Sequence, residues 1–160
     1  MTPRTVADVL DATATYLAQP DTAWQRYSPD FENTSTWRRS VSGAIAGQLA
    51  PADVWGNPME LTALRQTADL AAETVDFLAH YLIDYVGDHA VWTGDDEQYP
   101  MELDPVETIL SWETDAVPGC KLPEAADVQA VLTAAAVNYR MRAAARAERE
   151  ALVERDGCEA

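Results

Sequence analysis

The chain of 160 residues carries 27 acidic and 11 basic side chains, so its formal net charge is −16. A body this negative repels polyanions, which argues against direct binding of nucleic acid and against docking on an anionic membrane surface. No apolar run reaches the roughly 20 residues needed to cross a bilayer, and acidic residues interrupt the N-terminal segment where a signal peptide would be apolar. We therefore expect one cytoplasmic domain, rich in helix because alanine fills 28 positions.

The first predicted helix spans about 5–19. Thr5 is its expected N-cap, Asp8 completes a capping-box pattern, and Pro20 ends the helix. Residues 21–35 show neither a helical nor a strand period. We interpret them as a loop that is anchored by its aromatic side chains, Trp24, Tyr27 and Phe31.

Two further helices are predicted in the middle of the chain. The first covers about 36–49, and its small residues Gly43 and Gly47 allow a neighbouring backbone to approach closely. The second covers 58–86, because Asn57 followed by Pro58 is a strong helix start. Its apolar positions recur with a period of 3.5 residues, which is typical of a helix packed along its length: Leu61, Leu64, Ala68, Ala71, Val75, Leu78, Leu82 and Tyr85.

The C-terminal half begins with an exposed acidic loop over 87–103. A short helix follows from the cap at Asp104 to about Trp112, and a last helix starts near Glu124. Beyond Arg140 the chain favours helix but has no broad apolar stripe, so residues 1–139 form the predicted domain and 140–160 a charged helical extension. The predicted fold is an all-α bundle of about five helices with one long central helix.

Four helical blocks together resemble a known family: VLDATATYLA at 9–18, WRRSVSGAIA at 37–46, ILSWETD at 109–115 and DVQAVLTAAA at 127–136. In this order they are similar to short, mostly helical proteins of actinobacteria and their phages that are described only as a domain of unknown function. The resemblance implies a helical fold and an actinobacterial or phage source, with the host cytoplasm as the location for a phage protein. It implies no catalytic residue.

A metal site is the alternative that the central helix raises. Asp76, His80 and Asp84 are spaced four residues apart and share one helix face. A metal-dependent bundle enzyme acting on nucleotides would need more ligands from a second helix, and its usual Glu-x-x-His or paired Glu-x-x-Glu pattern is absent. We therefore interpret this face as solvated and expect no cofactor. Cys120 and Cys158 have neither metal-ligand nor disulfide spacing and are expected to be free thiols.

The tryptophans divide into core residues and one exception. Most are expected to fill the core that alanine cannot fill, whereas Trp92 begins the acidic loop and belongs to no helix face. An exposed aromatic side chain beside carboxylates is typical of a protein contact. Trp92 with Asp95, Asp96 and Glu97 is accordingly the predicted partner-binding site.

The C-terminal extension carries an arginine stripe. Arg142, Arg146 and Arg149 lie on one side of the predicted helix, whereas residues 40–139 contain 17 acidic and two basic residues, an excess of 15 negative charges. We expect the stripe to contact a carboxylate face, either of this subunit or of a second copy. In the second case the protein would be a homo-oligomer. A solvated helix whose arginines balance Glu148, Glu150 and Glu154 is the other interpretation.

The function that these observations favour is non-enzymatic binding of a basic protein surface. In a phage, such a protein would inhibit a host factor, with its carboxylates occupying the positions of nucleic-acid phosphates. Two alternatives remain open at this point: the metal-dependent enzyme, and an acidity that reflects only salt adaptation or genome composition.

Overall fold

The computed structural model describes residues 4–26, 35–50, 58–95, 97–98, 100–115 and 117–158, and most of these residues are helical. A single 3₁₀ turn, Pro20–Thr22, follows the first helix, and the strands β1 (Trp92–Thr93) and β2 (Glu102–Leu103) pair between the fifth and sixth helices. The α-helices are α1 (Val6–Ala18), α2 (Ser35–Arg38), α3 (Val41–Leu49), α4 (Pro58–Thr67), α5 (Asp69–Tyr85), α6 (Pro105–Thr114) and α7 (Ala125–Cys158).

The helix starts that local sequence signals mark are confirmed where the structure describes them. The Thr5 hydroxyl accepts a hydrogen bond from the Asp8 backbone N–H, and the Asp8 carboxylate accepts one from the Thr5 backbone N–H, so the capping box is complete. At α6, the Asp104 carboxylate accepts from the Glu107 backbone N–H at 3.0 Å. The predicted cap Asn57 lies outside the described residues, and so do Tyr27 and Phe31 of the aromatic loop.

The helix predicted over 36–49 is divided in two. Ser40 is the N-cap of α3 and accepts a hydrogen bond from the Gly43 backbone N–H, so the hydroxyl starts a new helix at this point. The predicted close approach of a neighbouring backbone occurs at Gly43, since a Cβ there would lie 1.7 Å from the Trp37 carbonyl oxygen. Gly47, in contrast, has open space beside it.

The prediction of one long helix over 58–86 is wrong in detail, because Ala68 has an extended backbone (φ −132°, ψ 121°) and separates α4 from α5. Alanine is the best helix former, so local preference gives no reason for this break. Tertiary contacts give one: α4 packs against α3 and α6, whereas α5 packs against α1 and α6. The longest described helix is instead α7, with 34 residues.

The core lies where α1 packs against α3, α5 and α7. Its largest members include Leu10, Trp37 and Leu78, each with 0% of its surface exposed. Trp112 is also buried and Trp24 packs against the core, so these tryptophans fill the interior as predicted, while Trp55 lies outside the described residues. None of the described helices is both long and apolar enough to span a bilayer.

The first half of α7 is held between α1 and α5. Gln129 donates to the Ala14 carbonyl oxygen, and Arg140 contacts the carboxylates of Asp8 at 3.4 Å and Asp11 at 2.7 Å, so α7 runs antiparallel to α1. On the α5 side, the Tyr139 hydroxyl donates to the Glu73 carboxylate at 2.6 Å. From residue 143 onward, every side chain whose burial is described is exposed, so α7 extends beyond the bundle.

Arg140 is expected to contribute to the attachment of α7 mainly through charge. We expect Arg140→Ala to lower the Tm modestly in dilute buffer, because the residue bridges two half-exposed carboxylates of α1. At an ionic strength of about 1 M, where the screening length is about 3 Å, the difference from wild type should disappear. Arg149→Ala, on the exposed part of α7, is the control and should leave the Tm unchanged at both salt concentrations. A loss that persists at high salt would show that the arginine stem, not its charge, is responsible.

Candidate functional site

The segment predicted as an acidic loop contains a β-hairpin. Trp92 pairs with Leu103 and Thr93 with Glu102 in an antiparallel register. Gly94 adopts a φ of +103°, a conformation that side chains rarely allow, and the Asp95 carboxylate accepts a hydrogen bond from the Gln98 backbone N–H at 2.8 Å. Asp96, the remaining acidic residue predicted at the tip, lies outside the described residues.

The base of the hairpin is attached to the start of α6. The Val91 carbonyl oxygen accepts from the Asp104 backbone N–H at 2.7 Å, and the Val91 N–H donates to the Thr108 hydroxyl oxygen at 3.1 Å. Thr108 in turn donates to the Asp104 carbonyl oxygen. Since two hydrogen bonds join Val91, the residue before Trp92, to the first turn of α6 and its cap, the orientation of the hairpin follows that of α6.

The hairpin exposes both apolar side chains and carboxylates to solvent. Trp92 is 56% exposed and Met101 is 48% exposed. Glu97, near the tip, and Glu102, on β2, are exposed as well, and the register places Glu102 beside Thr93, on the other face of the hairpin from Trp92. We call this set, Trp92, Asp95, Glu97, Met101 and Glu102, the acidic hairpin surface. A tryptophan exposed to this degree presents a large apolar area to solvent.

Carboxylates near the base of the hairpin are close enough to disfavour one another's charge. The pKa of Glu107 is raised, first by its partial burial and then by the negative charges of Asp104 and Asp115. No lysine or arginine occurs in the sequence between Arg65 and Lys121. A positive group brought near Glu107, Asp104 and Asp115 would relieve the repulsion among them.

Glu113, which the sequence interpretation missed, fixes the position of α6. Its side chain is completely buried, and its Oε1 accepts from the Trp24 indole N–H at 2.9 Å and from the Val41 backbone N–H at 2.6 Å. Burial raises the pKa of Glu113 to about 7, against the lowering effects of these two donors, the Ser42 backbone N–H and the Arg26 charge. This one carboxyl group thus joins α6, the start of α3 and the segment after α1.

A sequence signal for Glu113 does exist. It follows the buried residues Val106, Ile109 and Leu110 at helical spacing, so it occupies an inward position of α6. Arg26 packs beside it, donating to the Glu113 carbonyl oxygen at 2.9 Å and to the Pro123 carbonyl oxygen at 2.7 Å. A glutamate on the inward face of a short helix indicates a buried polar contact rather than a solvated charge.

The residues of the alternative metal site lie on α5 but make different contacts. Asp76 forms an ion pair with Arg65 at 2.8 Å, whereas His80 and Asp84 are exposed. Within the described ranges, no group of three or more His, Cys, Asp or Glu side chains is placed to hold a metal ion.

The arginine stripe is divided by its surroundings. Arg142 packs over the Phe77 ring at 5.9 Å and donates to the Tyr85 hydroxyl at 3.3 Å, so it contacts aromatic side chains of its own chain. Arg146 and Arg149 lie on the exposed part of α7. The arginine that meets two carboxylates is Arg140, which the predicted stripe did not include.

Comparisons with protein families, with curated proteins and with solved structures found no match for this chain.

Proposed function

We propose that this protein binds a basic protein surface through the acidic hairpin surface and has no catalytic role. The observation that carries the proposal is a tryptophan 56% exposed on a hydrogen-bonded hairpin, in a segment without cationic side chains. Tryptophan is the residue most enriched at the energetic centres of protein interfaces. Its carboxylate neighbours select a partner that is rich in lysine or arginine.

Fixed backbone geometry supports the proposal. An ordered hairpin loses less conformational entropy on binding than a mobile loop does, so more of the contact energy appears as affinity. The hydrogen bonds that Val91 makes with α6 supply this order. Charge acts mainly on the rate, since long-range attraction accelerates encounter and is screened over about 10 Å at 0.1 M salt.

The more specific proposal is that the carboxylates occupy a partner surface that otherwise binds nucleic-acid phosphates. It rests on the net charge of −16 and on the carboxylates of Asp104 and Asp115, which add to the effect of partial burial in raising the pKa of Glu107. Membership of the family of actinobacterial and phage proteins that the four sequence blocks resemble would make the partner a host factor. This proposal has its own test: duplex DNA and this protein should compete for binding to the captured partner.

Variants of the hairpin are expected to distinguish specific binding by its side chains from attraction by the net charge of the protein. Trp92→Ala should weaken the complex with a basic partner by about 30-fold, the effect of a single interface centre of about 2 kcal/mol. The double variant Glu97→Gln and Glu102→Gln should slow association, and it leaves the Asp95 turn unchanged. Partners are first captured from a lysate of the source cells and identified by mass spectrometry, and their binding rates are then measured with purified proteins at several salt concentrations.

The control is the double variant Glu148→Gln and Glu150→Gln, which removes the same charge from the exposed part of α7. Equal binding rates for the two double variants would show that only net charge matters. A protein that binds no basic partner and unfolds in dilute buffer would contradict the proposal and favour salt adaptation.

A further inference from the structure

A thiol and an imidazole lie close to Gly87, just after the end of α5. A Cβ atom built on Gly87 would lie 2.5 Å from the Cys120 Sγ and 3.2 Å from the His89 Nε2. The sulfur and the ring nitrogen therefore face the same point, and their separation is no greater than the sum of these two distances. Gly87 has no side chain, whereas the Cβ atom of any other residue would lie between the sulfur and the ring.

Two turns bring these groups together. After α5, the Gly87 N–H donates to the Leu82 carbonyl oxygen and the His89 N–H donates to the Gly87 carbonyl oxygen, which folds the histidine back toward the helix end. On the other side, the Cys120 N–H donates to the Val117 carbonyl oxygen, with Gly119 at a φ of +82°. Proline followed by a glycine of positive φ is the pattern of a type II turn.

His89 is unusual because it is buried without hydrogen bonds. Only 3% of its surface is exposed, and neither ring nitrogen has a hydrogen-bond partner among the described residues. Burial lowers its pKa, while the negative charges of Asp88 and Asp115 act in the opposite direction. Burial therefore favours the neutral ring, in which one nitrogen is free to accept a proton.

We infer that Cys120 is a site of covalent modification by small disulfides and that His89 accepts the thiol proton. Cys120 is partly buried and free of any disulfide. Its proton passes to the imidazole, and the thiolate attacks one sulfur of the small disulfide, forming a new S–S bond. The old S–S bond breaks, and the leaving thiolate takes its electron pair and then the proton from His89. The small disulfide is thereby reduced to one thiol, and the protein is oxidised to a mixed disulfide.

Charge around the pair favours a cationic reagent. Asp88 and Asp115 act on His89 from two different segments. Lys121, the neighbour of Cys120, is paired with Glu124 at 3.6 Å, which offsets its charge. A disulfide carrying ammonium groups should therefore react faster than one carrying carboxylates, and salt should reduce the difference.

The inference is tested by mass spectrometry on the full chain, with Cys120→Ser and Cys158→Ser used to follow one cysteine at a time. With cystamine at pH 7, Cys120 should be modified about tenfold or more faster than Cys158, consistent with help from a neighbouring base. Dithiodipropionate, which has the same S–S bond and opposite charge, should show a smaller advantage for Cys120. His89→Gln should bring the rate at Cys120 down to that at Cys158 and leave Cys158 unchanged. Equal rates for both cysteines in the wild-type protein, or a rate at Cys120 that His89→Gln leaves unchanged, would overturn the inference.

A second measurement keeps the inference testable if His89→Gln does not fold. Proton NMR of the wild-type protein follows the ring signals of His89 and His80 before and after reaction with cystamine. Modification should shift the signals and the titration of His89, whereas the exposed His80 on α5 is the control and should not change. Identical His89 signals before and after complete modification of Cys120 would also contradict it.

Discussion

Glu113→Ala is expected to lower the free energy of unfolding by about 3–5 kcal/mol, the largest effect of any substitution considered. The alanine leaves the Trp24 indole N–H and the Val41 backbone N–H without their acceptor. It also opens a cavity, because Glu113 is among the largest fully buried side chains. Urea denaturation followed by tryptophan fluorescence measures the change.

A matched control is available on the same helix. Glu107→Ala removes the same type of side chain from an exposed position. Its effect should lie within about 0.5 kcal/mol of wild type. Glu113→Gln, which keeps an acceptor oxygen, should cost less than Glu113→Ala. Equal losses for Glu113→Ala and Glu107→Ala would mean that the buried contacts of Glu113 add nothing to stability.

Stability is expected to depend on pH through Glu113. Burial raises its pKa from 4.5 to about 7, so the folded protein holds this proton over a range in which the unfolded chain releases it. The free energy of unfolding contributed by this group therefore falls as the pH rises from about 4.5 to about 7, by about 3 kcal/mol, and is constant above that range. The direction is opposite to that of a salt-bridged carboxylate.

The contribution is isolated by comparing wild type with Glu113→Gln. All other titrating groups are common to both proteins, so the difference in their unfolding free energies reports on Glu113. As the pH rises toward and through 7, the unfolding free energy of wild type should fall relative to that of the glutamine variant. A difference that is independent of pH between 4.5 and 8 would contradict the raised pKa.

The fold was predictable from the sequence where local hydrogen bonds decide the structure. The Thr5–Asp8 box and the Asp104 cap mark helix starts with short-range groups, and both are present. The break at Ala68 has no such marker, because it depends on the different helices that α4 and α5 contact. A period of 3.5 residues continues through this break, so periodicity alone predicts one helix where there are two.

The candidate site was predictable in its residues and not in its geometry. Trp92 stood out because it belongs to no helix face, and among the tryptophans that the structure describes it is the exposed one. The hairpin was not predicted, since strands of two residues are too short to show an alternating pattern. Helical spacing marks Glu113 as an inward residue of α6, but its partners, like the His89–Cys120 pair, belong to segments that are distant in the sequence and that no spacing rule brings together.

The projecting end of α7 shows how a solvated helix persists without a core face. Residues 143–158 extend for about 24 Å, and an isolated peptide of this length is only marginally helical because its first turn must form unaided. Here the docked turns around Tyr139 and Arg140 supply that nucleus, so each further turn adds only propagation. Alanine, glutamate and arginine propagate a helix well. The end of α7 should therefore fray turn by turn from Cys158 inward while the bundle stays folded, and protection of its amides from hydrogen exchange should decrease along the same gradient.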